Sequence, residues 1–171
     1  VFVIETERLA LRRLELNDAA FILELLNQPS FIRHIGDKGV RDLEDARNYL
    51  VTGPLESYRR FGFGLYLSSL RAQGAAQSPR VGICGFVKRE TLPDVDIGFA
   101  LLPQYAGLGY ATESARAVLA YGRESLGIER ILGIVAPDNA ASIAVLEKIG
   151  LRFERCVVLG GEAREVRLYG S

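Results

Sequence analysis

Apolar positions recur along the chain with two periods. From Arg8 to Leu14, Leu9 and Leu11 alternate among charged neighbours, the period of a strand. Asn17 or Asp18 can cap a following helix whose apolar face carries Phe21, Ile22 and Leu25 and which Pro29 ends. A second helical stretch runs from Asp42 towards Arg60, interrupted at Gly53-Pro54. Strand patterns return at Phe63 to Leu70, Arg80 to Glu90 and Val95 to Leu102. A Gly/Ala/Gln/Ser loop from Arg71 to Pro79 separates the first two, and a turn at Pro93-Asp94 separates the last two. Together they predict an antiparallel meander.

The helical period dominates afterwards. Thr112 to Ser125 sets Ala115, Val118, Leu119 and Leu126 on one side and stops at Gly127. Arg130 to Ala136 reads as an apolar strand. Asn139 to Ile149 is a helix with Ile143 and Leu146 inward, ended by Gly150. Two strands close the chain, Leu151 to Leu159 and Arg164 to Tyr169, joined at Gly160-Gly161. This order predicts one mixed α/β (α+β) domain over residues 1–171, with a single βαβ crossover in its second half.

Composition narrows the function. With 171 residues, 49% of them hydrophobic and 25% charged, the chain is long and apolar enough for one sizeable core. A formal net charge of +0 supplies no overall field for nucleic acid or an anionic membrane. No apolar run is long enough to span a bilayer and no signal peptide is visible, so a cytoplasmic location is expected. Cys84 and Cys156 sit in apolar, strand-like stretches and are expected to be small buried hydrophobes in a reducing compartment. No Cys/His/Asp cluster has metal-ligand spacing.

Any anion site must therefore be local, and Pro103 to Thr112 is the candidate. Gly107 and Gly109 stand between a strand and a helix, where small residues reach positive φ and backbone N–H groups converge at a helix start. A dinucleotide fingerprint would need a third glycine where Thr112 stands, and a P-loop would need Gly-Lys-Ser/Thr. A tight structural turn remains the plain alternative.

Downstream residues add to this. Gln104, Gly107 and Gly109, followed by Asn139, Ser142, Lys148 and Gly150, resemble the GNAT acetyltransferase superfamily, whose cofactor motif is Gln/Arg-x-x-Gly-x-Gly/Ala. The opening Glu5-Thr6-Glu7-Arg8-Leu9-x-Leu11-Arg12 and the pair Asp18-Ala19 look like its Rim-type (RimJ/RimL-like) branch, the ribosomal-protein N-terminal acetyltransferases and their relatives. The likeness spans nearly the whole chain and is weakest between Arg41 and Ser78.

The resemblance implies a mostly antiparallel sheet of about seven strands, about four flanking helices, and a V-shaped splay between the fourth and fifth strands. It implies acetyl-CoA as co-substrate, no metal, and an amine acceptor. The diphosphate would rest on Gln104, Tyr105, Ala106, Gly107, Leu108, Gly109, Tyr110, Ala111 and Thr112, and the pantetheine arm would pair with the edge Ala100, Leu101 and Leu102. Asn139 would touch that arm, act as a helix N-cap, or do both. Asp96 is the candidate general base, or else a partner for a nearby arginine. The family's usual tyrosine acid falls at Leu146, which leaves Ser142 as a proton donor or a helix-start hydrogen-bonder. His34 borders the implied acceptor pocket, or is structural. A binding module without catalysis is the alternative reading. A monomer or homodimer is expected, with Phe2, Val3 and Ile4 as an edge able to pair.

Overall fold

The computed structural model describes residues 2–71, 78–159 and 164–171. The expected turn at Gly160-Gly161 and most of the Arg71 to Pro79 loop lie outside the described residues.

Eight strands form one sheet: β1 Phe2–Glu5, β2 Leu9–Arg13, β3 Leu65–Leu70, β4 Arg80–Val87, β5 Val95–Leu101, β6 Ile131–Val135, β7 Arg152–Val158 and β8 Glu165–Gly170, in the order β1-β2-β3-β4-β5-β6-β8-β7. Every neighbouring pair is antiparallel except β5 and β6, the parallel pair that the crossover predicts. The strand beyond the expected seven is β1, which pairs with β2 and forms one edge of the sheet.

Helices cover both faces. α5 (Tyr110–Glu124) buries Ala115, Val118, Leu119 and Gly122 at helical spacing. With α6 (Ala140–Lys148) it packs on the face carrying Leu9, Leu11, Tyr66 and Phe86. An α5 side chain at Gly122 would collide with the Phe86 ring, 2.4 Å from an added Cβ. On the opposite face, α1 (Ala19–Leu26) and α3 (Leu43–Leu50) bury Phe21, Ile22, Leu25, Ala46 and Leu50 over Leu67 and Ile83. The six α-helices among the described residues exceed the expected four for two local reasons.

Pro29 ends α1 as expected but also opens α2 (Pro29–His34), because proline at a first helical position forfeits no hydrogen bond. The Asp42 to Arg60 stretch is not broken at Gly53-Pro54. A π turn, Val51–Leu55, carries α3 into α4 (Glu56–Phe61) and absorbs the N–H that Pro54 lacks. Asp18, beneath the first helical turn, is buried and held by Arg12 at 2.9 Å and Arg80 at 3.2 Å.

Cys84 is buried in β4, where burial pushes its thiol up to about 12. Cys156 corrects the expectation: it is exposed, because β7 is the outer strand of the sheet. Among the described residues no helix is long and apolar enough to cross a membrane.

Candidate active site

β5 and β6 are the only parallel pair among the described residues, and the sheet opens where they part. β5 meets β6 at Val95↔Ile131 and Asp96↔Leu132 and no further, while β5 continues along β4 to Leu101 and β6 along β8 to Val135. The Leu102 N–H donates to the Val81 carbonyl at 2.9 Å, which sets the alternation along β5. Main-chain groups of Gly98 and Ala100 therefore face β4, and those of Ile97, Phe99 and Leu101 face the opening. Of the expected edge, Leu101 presents main chain to the gap and Ala100 lines it, whereas Leu102 is buried in the core.

The chain then makes one 3-10 turn, Pro103–Tyr105, and passes through Gly107 at φ 75° and Gly109 at φ 85° into α5. Among the described residues no side chain caps α5, so the first-turn amides of this fifteen-residue helix have no side-chain acceptor there. In contrast, Asp42 caps α3 and Asn139 caps α6. Arg8 holds the turn from outside. Its guanidinium donates to the Leu108 carbonyl at 2.9 Å and to Glu113 at 2.7 Å, and lies 4.4 Å over the Tyr110 ring. Burial works to raise the Glu113 carboxyl, but bonds from Thr6 and Arg8 outweigh it and hold the group below its ordinary value.

A groove of about 490 Å³ runs from this turn into the opening. Ala106, Gly107, Gly109, Tyr110, Ala111 and Thr112 line one side, with Asn139, Ser142 and Lys148 of the α6 region opposite. Gln104, Tyr105 and Leu108 do not line it; the Tyr105 ring packs edge-on against Tyr110 at 6.3 Å.

The groove leads to a cavity of about 130 Å³ around which Asp96, Asn139, Ser142 and His34 converge. Asp96 is 1% exposed at the crotch of the splay, its Oδ1 3.1 Å from Arg89 Nε. Burial raises its pKa to about 6, against the pull of Arg89 in the other direction. Of the two sequence alternatives for Asp96, the pairing with an arginine is seen in the structure, and the carboxylate sits buried at the meeting point of two strands. Asn139 is an N-cap, its Oδ1 accepting from the Ser142 N–H at 3.2 Å. The Ser142 Oγ makes no hydrogen bond among the described residues. Leu146 is buried and lies against Gly133, so its position faces the core instead of the cleft.

His34 ends α2, with Nδ1 3.8 Å from Asp138. α2 is fastened across the cleft from two directions. Arg33 reaches Asp138 at 3.4 Å, and Arg164 donates to the carbonyls of Arg33, His34 and Ile35 at 3.0, 3.5 and 3.3 Å. Neither Arg164 nor Asp138 carried a sequence signal for this role. Phe99 was also missed, although the period of two along β5 contains it.

Beyond Asp96, towards α3 and α4, a third cavity of about 330 Å³ opens. Ile35 and Phe99 line all three spaces, so they form one continuous cleft through the splay. Among the described residues no group of acidic, histidine or cysteine side chains could hold a metal ion.

A mixed sheet split at its parallel junction, with a glycine turn entering an uncapped helix, defines a class. Residues 8–152 match the Acetyltransf_3 family, the acetyltransferase (GNAT) domain, and the chain belongs to it. It is an acetyl-CoA-dependent acetyltransferase.

More particularly, it is similar to YnaD of Bacillus subtilis (strain 168), an uncharacterized N-acetyltransferase, with 29% identity over 93% of this chain and 90% of that one. A GNAT-family acetyltransferase structure from Bacillus anthracis superposes with a TM-score of 0.79 at 28% identity, covering 100% of this chain and 98% of that one. The fold is also that of RimL, a ribosomal L7/L12 alpha-N-protein acetyltransferase in complex with coenzyme A, with a TM-score of 0.83 at 21% identity and coverage of 100% and 97%.

Proposed function

We propose that this acetyltransferase acts on a primary amine, a protein N-terminal α-amine or a small-molecule amine, by direct attack in a ternary complex, as a member of the Rim-type branch. The observation that carries the reading is the continuous cleft. It joins a groove that suits an extended thioester to a cavity that suits an amine, and the buried carboxylate Asp96 lines the space that shares Ile35 and Phe99 with both.

The groove's chemistry fits acetyl-CoA. Two glycines at positive φ and an uncapped helix start offer converging N–H groups to a diphosphate. The main chain of Phe99 and Leu101 offers strand-type pairing to an amide-bearing arm. Ala141, Ala144 and Val145 give that arm an uncharged wall. Lys148 supplies a cation at the groove and Arg116 another beside the helix start. When bound, acetyl-CoA supplies an activated acetyl carbon and a thiolate leaving group.

The remaining work falls to the chain. The amine nitrogen bonds to the acetyl carbon as the carbon–sulfur bond breaks. The proton shed by the nitrogen passes to Asp96, directly or through a water. Ser142 Oγ, which lines both the groove and the cavity, donates towards the departing sulfur. An outward N–H of the β5 edge stabilises the developing oxyanion. A carboxylate titrating at about 6 is ionised at neutral pH and matches an α-amine, which titrates near ~7.7–8.0, better than a lysine near ~10.4.

Incubation with acetyl-CoA and a panel of N-terminal peptides, amino acids and polyamines tests this, with free thiol as the readout. Acceptor-dependent thiol release is expected. Its absence across the panel would overturn the amine reading.

A further inference from the structure

The cavity beyond Asp96 has an unusual charge balance. Its wall is apolar where Phe31, Ile35, Tyr49 and Phe99 face it, and the basic side chains Arg60, Lys88 and Arg89 line it with Glu56. Glu56 is already committed: it holds Arg59 through two bonds of 2.8 and 2.5 Å. Lys88 Nζ donates to the carbonyls of Leu92 at 2.9 Å, Arg89 at 3.3 Å and Pro93 at 3.5 Å, neutral groups that put no carboxylate in contact with its charge. Arg60 lies 4.9 Å over the Phe61 ring and has no carboxylate partner within ion-pair distance among the described residues. Arg89 lines the same space but is paired with Asp96 at 3.1 Å.

A cavity of about 330 Å³ lies at the small end of ligand pockets, ~300–1,000 Å³. A polyamine placed there would meet like charges on several sides. An amine poised at Asp96 whose body extends into this space would instead bring any acid group it carries towards Arg60 and Lys88, which have no carboxylate within ion-pair distance among the described residues.

We propose that the acceptor is a small amine bearing an anionic group, a carboxylate or a phosphate, which the cations rimming this cavity hold while the nitrogen faces Asp96. This rests on the amine-transfer reading above and narrows it. The bond changes are those already given; the anion takes no part in them. Its role is to position the nitrogen and to raise the local concentration of acceptor.

Matched acceptor pairs test the proposal at fixed acetyl-CoA. Phenylalanine against phenylalaninamide reads the carboxylate source, and phosphoethanolamine against ethanolamine reads the phosphate source. Spermidine and a neutral tripeptide amidated at its C-terminus, which carries no acid group, complete the panel. In at least one pair the anionic member should have kcat/KM at least tenfold above its neutral match, the gap residing in KM and shrinking as salt rises.

Arg60→Gln should lower that ratio severalfold. Arg60→Glu should shift preference towards spermidine, with retained CoA binding showing that the variant is folded. Equal or better turnover of neutral amines, of spermidine or of the tripeptide would overturn the anionic acceptor while leaving amine transfer intact. Thiol release with none of these acceptors would instead remove the amine reading itself.

Discussion

Asp96 shows how one buried side chain ties stability to chemistry. Its folded-state value of about 6 lies above the ordinary 3.8 because burial disfavours the charge. Between those values the folded chain keeps a proton that the unfolded chain has released, so stability falls as pH rises through that window. The penalty, on the order of 3 kcal/mol at most, then persists at neutral pH. Asp96→Asn should therefore melt higher than wild type at neutral pH, and the difference should vanish in acid below the unfolded value. The same variant should lose roughly 10²-fold in rate and, with it, the acid limb near pH 6 in the pH–rate profile. A variant that keeps this limb would remove Asp96 as the base.

Gly107 is the complementary case, a residue whose constraint is its backbone. An added Cβ would meet nothing of the protein within 4 Å, yet φ is +75°, where a β-branched side chain is strained. Gly107→Val should fold and should raise the KM for acetyl-CoA about tenfold or more, through a twisted amide and a side chain in the groove. Isothermal titration with CoA checks this, and unchanged affinity would count against the glycine turn as the diphosphate site.

At the scale of elements, α2 is the part of the cleft least able to hold itself. It has six residues and buries only Phe31. Its C-terminal carbonyls are satisfied by Arg164, which arrives from beside β8 about 130 residues away in sequence. Removing that guanidinium should loosen the wall that carries His34 and Ile35. Arg164→Gln is expected to raise the acceptor KM severalfold with a smaller change in the KM for acetyl-CoA, and to speed amide exchange over residues 31–36. An equal rise in both constants would show that the bond serves general stability instead of the acceptor wall.

For the whole molecule, what could be read from sequence depended on period and range. Long amphipathic segments such as α5, and strands such as β4 and β5, announce themselves through local spacing. So does the glycine turn, since two glycines ahead of a helix carry their backbone meaning in one short stretch. Elements shorter than a full pattern announce themselves less: β1, with four residues, shows only as an edge able to pair, and α2 begins at the proline that ends its predecessor. The π turn escaped because its helical continuity depends on how backbone bonds are redistributed around Pro54, which residue types alone do not specify.

Within the site, Asp96, Ser142, Asn139 and His34 were identifiable singly, and the structure gathers them around one cavity. The Arg164 bonds and the cationic chamber were not legible. Both are assembled from segments far apart in the chain, so no local spacing encodes them.

The two register pairs that join β5 to β6 make a narrow spine for so broad a sheet. Five strands hang from one side of it and three from the other, like the covers of a book bound by two stitches. A cofactor lying in the fold would act as added thread. Saturating CoA should raise the melting temperature by mass action and slow amide exchange at residues 97–101 and 131–135 together. Protection confined to one cover would mean that the pages already turn as one without it.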